Sequence, residues 1–388
     1  MIYLDHAAAT PVSKKALEKM LPYFSEFFFN PSASYLSAKK VREDYELAKK
    51  SIANFIGAKE NDIVITSGAT EANVLAFTAV SKANDSDKSP KILVLETEHP
   101  SILENAKKYH FNTVKVDRTG RIDLKDFSKK LTKSVELVSI SLANNELGTI
   151  QPLSEISMIL REEKLRRLKN NDTRQLLLHS DASQGLSLLD INVARLGVDL
   201  LTINSAKVSG PKGVGALYVG HEARLNPYIL GGGQERGLRS GTENVAGVIG
   251  FAVALEEIKN HTSSNSKKYN KLVENLKSEL EKAKIAPIFL GNKKNRLSNF
   301  LPVCFSGLDA ERIIYKLEEK EIYLSTGAAC AASKGKPSHV LRAIGLSPEE
   351  IAGSLRISLG VLNDEENIKV AGKAIREVVD SEAERIGL

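Results

Sequence analysis

Lys207 and Cys330 are the two residues whose settings point most directly to chemistry. Lys207 lies in Asn204-Ser205-Ala206-Lys207-Val208-Ser209-Gly210-Pro211-Lys212-Gly213, just past the apolar run Val198–Ile203 and before a Gly-Pro turn. Cys330 lies in Ser325-Thr326-Gly327-Ala328-Ala329-Cys330-Ala331-Ala332-Ser333-Lys334-Gly335-Lys336-Pro337-Ser338, where small residues follow an apolar strand and cannot form a packed core. A lysine at a strand end can condense with an aldehyde cofactor. A thiol on a mobile, accessible segment can accept sulfur from what that cofactor activates. Lys212 shares the lysine's turn; Lys207 is preferred because it lies nearer the carboxyl end of the strand, where open α/β sheets bind ligands.

Polar residues follow most of the other apolar runs as well. Thr66-Ser67-Gly68-Ala69-Thr70-Glu71 opens a helix and reads either as a simple N-cap or as backbone N–H groups and a hydroxyl turned to a phosphate. In Glu96-Thr97-Glu98-His99-Pro100 the proline suits the first turn of a helix and puts His99 at its start, as a capping, core or ligand-facing residue. The amides of Asn144 and Asn145 make a turn or meet a ligand. Asp181, directly after a buried run, needs a partner, which is either a structural cation or a protonated ring nitrogen of a ligand. Their recurrence at successive strand ends favours a cofactor pocket.

The elements that must position these residues follow from hydropathy patterning. Short apolar runs at Ile63–Thr66, Ile92–Leu95, Val135–Leu142, Leu176–His179, Val198–Ile203 and Val214–Val219 alternate with segments of helical period at Ala69–Lys82, Pro100–Tyr109 and Leu153–Leu168. That alternation predicts a parallel sheet covered by helices, with one antiparallel hairpin through Gly210–Gly213. From Thr262 the pattern changes to a long charged helix to Lys284, strands at Leu301–Phe305, Glu321–Leu324 and Leu355–Leu359, and helices from Ala310 to Glu319 and from Asp364 onward. Two units are expected: a large domain, 14–261, and a smaller α+β domain formed by 1–13 and 262–388.

The chain has 388 residues, a formal net charge of +6 and two cysteines. Its basic runs, such as Arg161–Arg167, carry acids among the bases and read as solvated helix faces, so no nucleic-acid partner is expected. With no CxxC pair and no His cluster at ligand spacing, neither a disulfide framework nor a metal site is expected, and Cys304 reads as inert core. The absence of a membrane-spanning run or signal core points to the cytoplasm.

Taken in order, Tyr3-Leu4-Asp5-His6-Ala7-Ala8-Ala9-Thr10-Pro11, Asn30-Pro31-Ser32, Thr66–Glu71, Thr97-Glu98-His99, Asn144–Gly148, Asp181–Gln184, Lys207–Gly213, Arg239-Ser240-Gly241-Thr242, Cys330 and Arg356 resemble the cysteine desulfurases of the NifS/IscS type over nearly the whole chain. The resemblance implies a fold-type-I enzyme of the class V aminotransferase superfamily that depends on pyridoxal 5′-phosphate (PLP), with a mostly parallel seven-stranded sheet flanked by helices. It implies that Lys207 is the covalent anchor of PLP, that Asp181 pairs with the ring nitrogen, and that Gln184 bonds the phenolic oxygen. His99 would stack on the ring and assist proton transfers. Ala69, Thr70, Asn204 and Ser205 would hold the phosphate, with Thr242 reaching the phosphate of a neighbouring subunit. Asn145 and Arg356 would meet L-cysteine, and Cys330, on a long mobile loop, would take its sulfur as persulfide. His99 or the departing substrate would accept the thiol proton.

The partners implied are a second copy of the chain and a sulfur acceptor, such as an iron–sulfur scaffold or a tRNA-thiolation protein. The chain departs from the family pattern at Ala206, where histidine usually precedes the lysine, and at Asn204, where serine is common. Rival readings are a selenocysteine lyase, a class V aminotransferase, or a PLP-binding scaffold with weakened catalysis.

Overall fold

The computed structural model describes residues 1–80, 91–327 and 337–388. Its strands in chain order are β1 (Ile2–Tyr3), β2 (Ile63–Thr66), β3 (Ile92–Leu95), β4 (Phe111–Val114), β5 (Leu137–Ser139), β6 (Leu177–Asp181), β7 (Leu200–Asn204), β8 (Gly215–Val219), β9 (Ile288–Phe289), β10 (Phe300–Cys304), β11 (Ile322–Tyr323) and β12 (Ser354–Ser358).

A seven-stranded sheet runs in the order β2-β8-β7-β6-β5-β3-β4. Strand β8 is antiparallel to both of its neighbours and the remaining pairs are parallel, which bears out the hairpin expected at Gly210–Gly213. Both faces of the sheet are covered, so its central strands carry apolar residues at successive positions instead of alternating with polar ones. Leu93, Leu178 and Leu201 point into one core with Ile52 and Phe251, while Val94, Leu177 and Leu200 point into the opposite core with Leu75 and Phe77. This is the two-residue side-chain period of a strand buried on both sides.

The edge strand β4 was not foreseen, because Asn112 is exposed and Phe111 and Thr113 are only partly buried, leaving no apolar run to read. The helices Leu36–Phe55 and Val245–Lys259, which pack on each other, were not foreseen either. The predicted strand at Val135–Leu142 shortens to β5, and the helices expected to Lys82 and Tyr109 end at Phe77 and Ala106.

Beyond Thr262 the elements follow the expected order. Helix Thr262–Leu280 packs on helix Glu365–Ile386, whose start is capped by Asp364 in a reciprocal box with Asn367. Under them lies the antiparallel sheet β12-β10-β9, with Phe300, Leu301, Leu355 and Ile357 in a core that Leu4 and Ala143 also enter.

The N-terminal segment stitches these parts together. β1 pairs with β11, the His6 N–H donates to the Ser358 carbonyl, and the Thr10 hydroxyl donates to the Ala206 carbonyl beside Lys207. No helix among the described residues is long and apolar enough to cross a membrane.

Candidate active site

The parallel strands of the large sheet end, and the antiparallel β8 begins, at the same edge, and the loops there enclose a cavity of about 260 Å³. Its lining includes Ala69, Thr70, His99, Asn145, Asp181, Gln184, Asn204, Lys207 and Arg356, all singled out from sequence. Ser205 is fully buried behind the wall and Thr242 is exposed on the surface; neither lines the cavity of this single chain. Cys330 lies outside the described residues.

The lysine is placed by the way β7 ends. Asn204 closes the strand and its side chain accepts from the Ala206 N–H, starting the short 3-10 turn Ser205–Lys207 that swings the lysine toward the N-terminal segment. Its ammonium donates to the carbonyls of Ala7 at 2.7 Å and Ala8 at 2.6 Å. Gln184 reaches the same Ala7 carbonyl at 3.1 Å.

Asp181 ends β6. One of its oxygens accepts from the Ser183 N–H at 2.9 Å and the other from Asn73 Nδ2 at 3.0 Å. Among the described residues it joins no ion pair, so a partly buried carboxylate faces the cavity without a cation. His99 caps the helix Pro100–Ala106, its Nδ1 accepting from the Ser101 N–H. Burial holds this imidazole below its usual pKa, against the pull of Asp181.

At β2, Gly68 turns the chain with φ 150° into the helix Ala69–Phe77, leaving that helix's first N–H groups at the cavity with Thr70. The turn passes so close to β8 that a Cβ on Gly215 would stand 2.7 Å from the Gly68 backbone. A side chain there would displace the turn.

Arg356, 3% exposed, projects from β12 into the same space. Its Nη2 pairs with Asp5 at 2.6 Å, its Nη1 donates to the Asn145 carbonyl at 3.2 Å, and its buried Nε has no hydrogen-bond partner among the described residues. Burial raises the Asp5 carboxyl, opposed chiefly by that guanidinium.

Behind the cavity stand polar groups that sequence reading did not separate from their motifs. Glu98 is fully buried and accepts from the Ser141 N–H at 2.7 Å and from its hydroxyl; burial pushes it up to about 8. Glu146, 2% exposed, accepts from the Ser338 hydroxyl at 2.6 Å and lies beside Gly327, where a Cβ would be 3.0 Å from its Oε2. The two chain ends flanking 328–336 therefore meet at one carboxyl. Asn73 is completely buried on an otherwise apolar helix face. A polar residue in that position was the signal that could have singled it out.

The described residues fit PLP. A carboxylate without a cation suits a protonated ring nitrogen, an imidazole lies nearby, a helix start suits a phosphate, and an amine stands within the same walls. The buried Ser205 Oγ has no hydrogen-bond partner beside this turn. Fold and site thus define a fold-type-I PLP enzyme.

Comparison with known proteins narrows the class. The model of the class-V aminotransferase family matches residues 2–370. Cysteine desulfurase IscS 1 of Archaeoglobus fulgidus is 39% identical over 374 residues, covering 95% of this chain and 94% of that protein. Cysteine desulfurase IscS of Dictyoglomus turgidum is 37% identical over 385 residues, covering 98% and 94%. Among solved structures, a NifS-like protein superposes with a TM-score of 0.88 at 30% identity, covering 98% of this chain and 99% of its own. SspA in complex with cysteine gives a TM-score of 0.79 at 32% identity, covering 92% and 99%. The chain belongs to the NifS/IscS-like cysteine desulfurase family within the class-V aminotransferases.

Proposed function

We propose that the protein takes sulfur from L-cysteine, releases L-alanine and holds the sulfur as a persulfide on Cys330. The observation that carries this reading is the convergence, in one cavity, of the Lys207 amine, the Asp181 carboxylate without a cation and the buried Arg356 guanidinium. When bound, PLP supplies an electron sink that makes the substrate Cα proton labile and the carbon–sulfur bond breakable.

The chain's own residues divide the remaining work. Lys207 would anchor the cofactor, and its Nζ would take the substrate Cα proton. Asp181 keeps the ring nitrogen protonated, Gln184 bonds the phenolic oxygen, and Ala69, Thr70, Asn204 and Ser205 hold the phosphate. Arg356, oriented in advance by Asp5, grips the substrate carboxylate with Asn145 alongside.

The Cys330 thiolate forms a sulfur–sulfur bond with the substrate sulfur. The electron pair of the breaking carbon–sulfur bond stays on carbon, which gains a proton as alanine forms. No outside oxidant is consumed.

The working unit is a homodimer. The loop Gly231–Gly237 is anchored at Glu235, which accepts from Lys49 at 3.0 Å and from the Ile65 N–H at 2.9 Å. On either side of it Leu230 and Thr242 are exposed, available to a second copy whose phosphate Thr242 would reach. The two domains meet as 14–261 and as 1–13 with 262–388, the protein acts in the cytoplasm, and its persulfide passes to an iron–sulfur scaffold or a tRNA-thiolation protein.

Mass spectrometry of Cys330 after incubation with PLP and L-cysteine tests the reaction. One added sulfur on Cys330, with alanine released, is expected. Alanine without that added sulfur, or turnover undiminished in Cys330→Ser, would refute the persulfide route and favour a class V aminotransferase or selenocysteine lyase.

A further inference from the structure

His99 sits over the cavity with Asp181 and Lys207, and its usefulness depends on which ring nitrogen carries the proton. Three groups fix that choice. The backbone N–H of Ser101, which can only donate, points at His99 Nδ1 from 3.1 Å. The Ser101 hydroxyl lies 2.8 Å from the same nitrogen. Asn73 Nδ2 then donates to Ser101 Oγ at 2.9 Å and to Asp181 Oδ2 at 3.0 Å.

The orientation of the Asn73 amide is set by Asp181, because an ionised carboxylate only accepts and an inverted amide would set oxygen against oxygen. The Asn73 oxygen is left buried without a partner among the described residues, the penalty for spending both amide protons on this chain of bonds. Since the Ser101 oxygen already receives a proton from Asn73, its own proton is free for His99. Two donors therefore converge on Nδ1, which must present a bare lone pair. Among the described residues no group hydrogen-bonds Nε2.

We propose that Asn73 and Ser101 are positioning residues that hold His99 in the Nε2–H form, so that it offers a hydrogen bond into the cavity and does not act there as a base. The inference rests on the proposed desulfuration and refines it. The thiol proton of Cys330 goes to the departing substrate, and His99 is removed from the two acceptors expected from sequence. Taking up a proton at Nδ1 would set it against the Ser101 N–H and force the Ser101 hydroxyl to turn from donor to acceptor.

The groups facing the ring agree with this geometry. Burial is the largest influence and disfavours the imidazolium; Asp181 opposes it, while Lys207 and His339 reinforce it.

The test is ¹⁵N NMR of histidine-labelled holoenzyme between about pH 6 and 9, with the His99 signals assigned by their loss in His99→Gln. The expected result is a protonated Nε2 and a bare Nδ1 from neutral pH upward, with any uptake of a second proton having its midpoint below the ordinary histidine value of about 6.5. A protonated Nδ1, or an imidazolium above that value, would overturn the proposal.

Ser101→Ala removes one donor and keeps the backbone one. The His99 midpoint should rise by roughly half a pH unit, and the acid limb of the pH profile for persulfide formation should move with it. An unmoved midpoint overturns the role given to Ser101. The ring signals are read whether or not alanine forms, so failure of desulfuration and failure of this assignment are separate results.

Discussion

The Lys207 amine is held by two backbone carbonyls, and Arg356 by Asp5 and the Asn145 carbonyl, so both cationic groups are oriented before any ligand arrives. Lys207→Ala should abolish the visible absorbance of covalently bound PLP, read by a spectrum of the purified protein; retention of that band would displace the lysine assignment. Arg356→Lys keeps the charge and loses the planar fork, at a cost of about 1.5–3 kcal/mol. That corresponds to a fall in kcat/KM for L-cysteine of roughly tenfold to a hundredfold, seen mainly in KM if the guanidinium binds the substrate carboxylate. Glu98 is penalised for its charge, since burial raises its carboxyl to about 8 inside the fold. Between its unfolded value of about 4.5 and that folded value the native state binds the extra proton, so this group costs stability as pH rises. Glu98→Gln should raise stability at pH 8 by on the order of 1–3 kcal/mol, measured by denaturant unfolding. Most of the cavity residues were legible in sequence because each directly follows a buried run. Asn73 and Ser101 were not, because their significance lies in a contact between two helices that no local pattern records.

At the scale of elements, legibility followed burial. β2 and β3 match their apolar runs residue for residue because all four positions of each are buried. β4 escapes the same reasoning because only Val114 of its four residues is buried, whereas β2 at the other edge is buried throughout. The helix Leu36–Phe55 also escaped, although Val41, Tyr45, Ala48 and Ile52 give it a buried stripe at helical spacing. The turn between β2 and its helix depends on the close approach of β8. Gly215→Ala puts a methyl group 2.7 Å from the Gly68 backbone, so it should cost about 1–3 kcal/mol in overpacking and weaken PLP retention on dialysis more than L-cysteine affinity. Asp364→Ala offers the contrasting case. It removes the cap of helix Glu365–Ile386, a residue that does not line the cavity, and should cost about 1 kcal/mol in thermal stability while kcat/KM stays unchanged.

For the whole molecule, the buried ionisable groups set a pH optimum of stability. His6 and His179 are both held down to about 4 by burial, so below an unfolded value of about 6.5 the unfolded chain binds protons that the folded one refuses. Stability from these two groups is present above that unfolded value and is lost as pH falls toward 4. Glu98 acts in the opposite sense up to about 8. Below about pH 6.5 the two histidines outweigh Glu98 by one proton and above it Glu98 acts alone, so these groups should make the melting temperature peak near pH 6.5 and fall with comparable slopes on the two sides, which a scan of thermal unfolding against pH checks. One further consequence concerns the amino-terminal ten residues. Asp5 steadies the guanidinium, Ala7 and Ala8 supply the oxygens against the ammonium, and Thr10 ties down the residue before that lysine, all within a few positions of Met1, which is 80% exposed. A tag or fusion partner joined at Met1 would therefore pull, through only a short leash of chain, on the very oxygens that steady the Lys207 nitrogen, whereas the same cargo carried beyond Leu388 would leave them undisturbed.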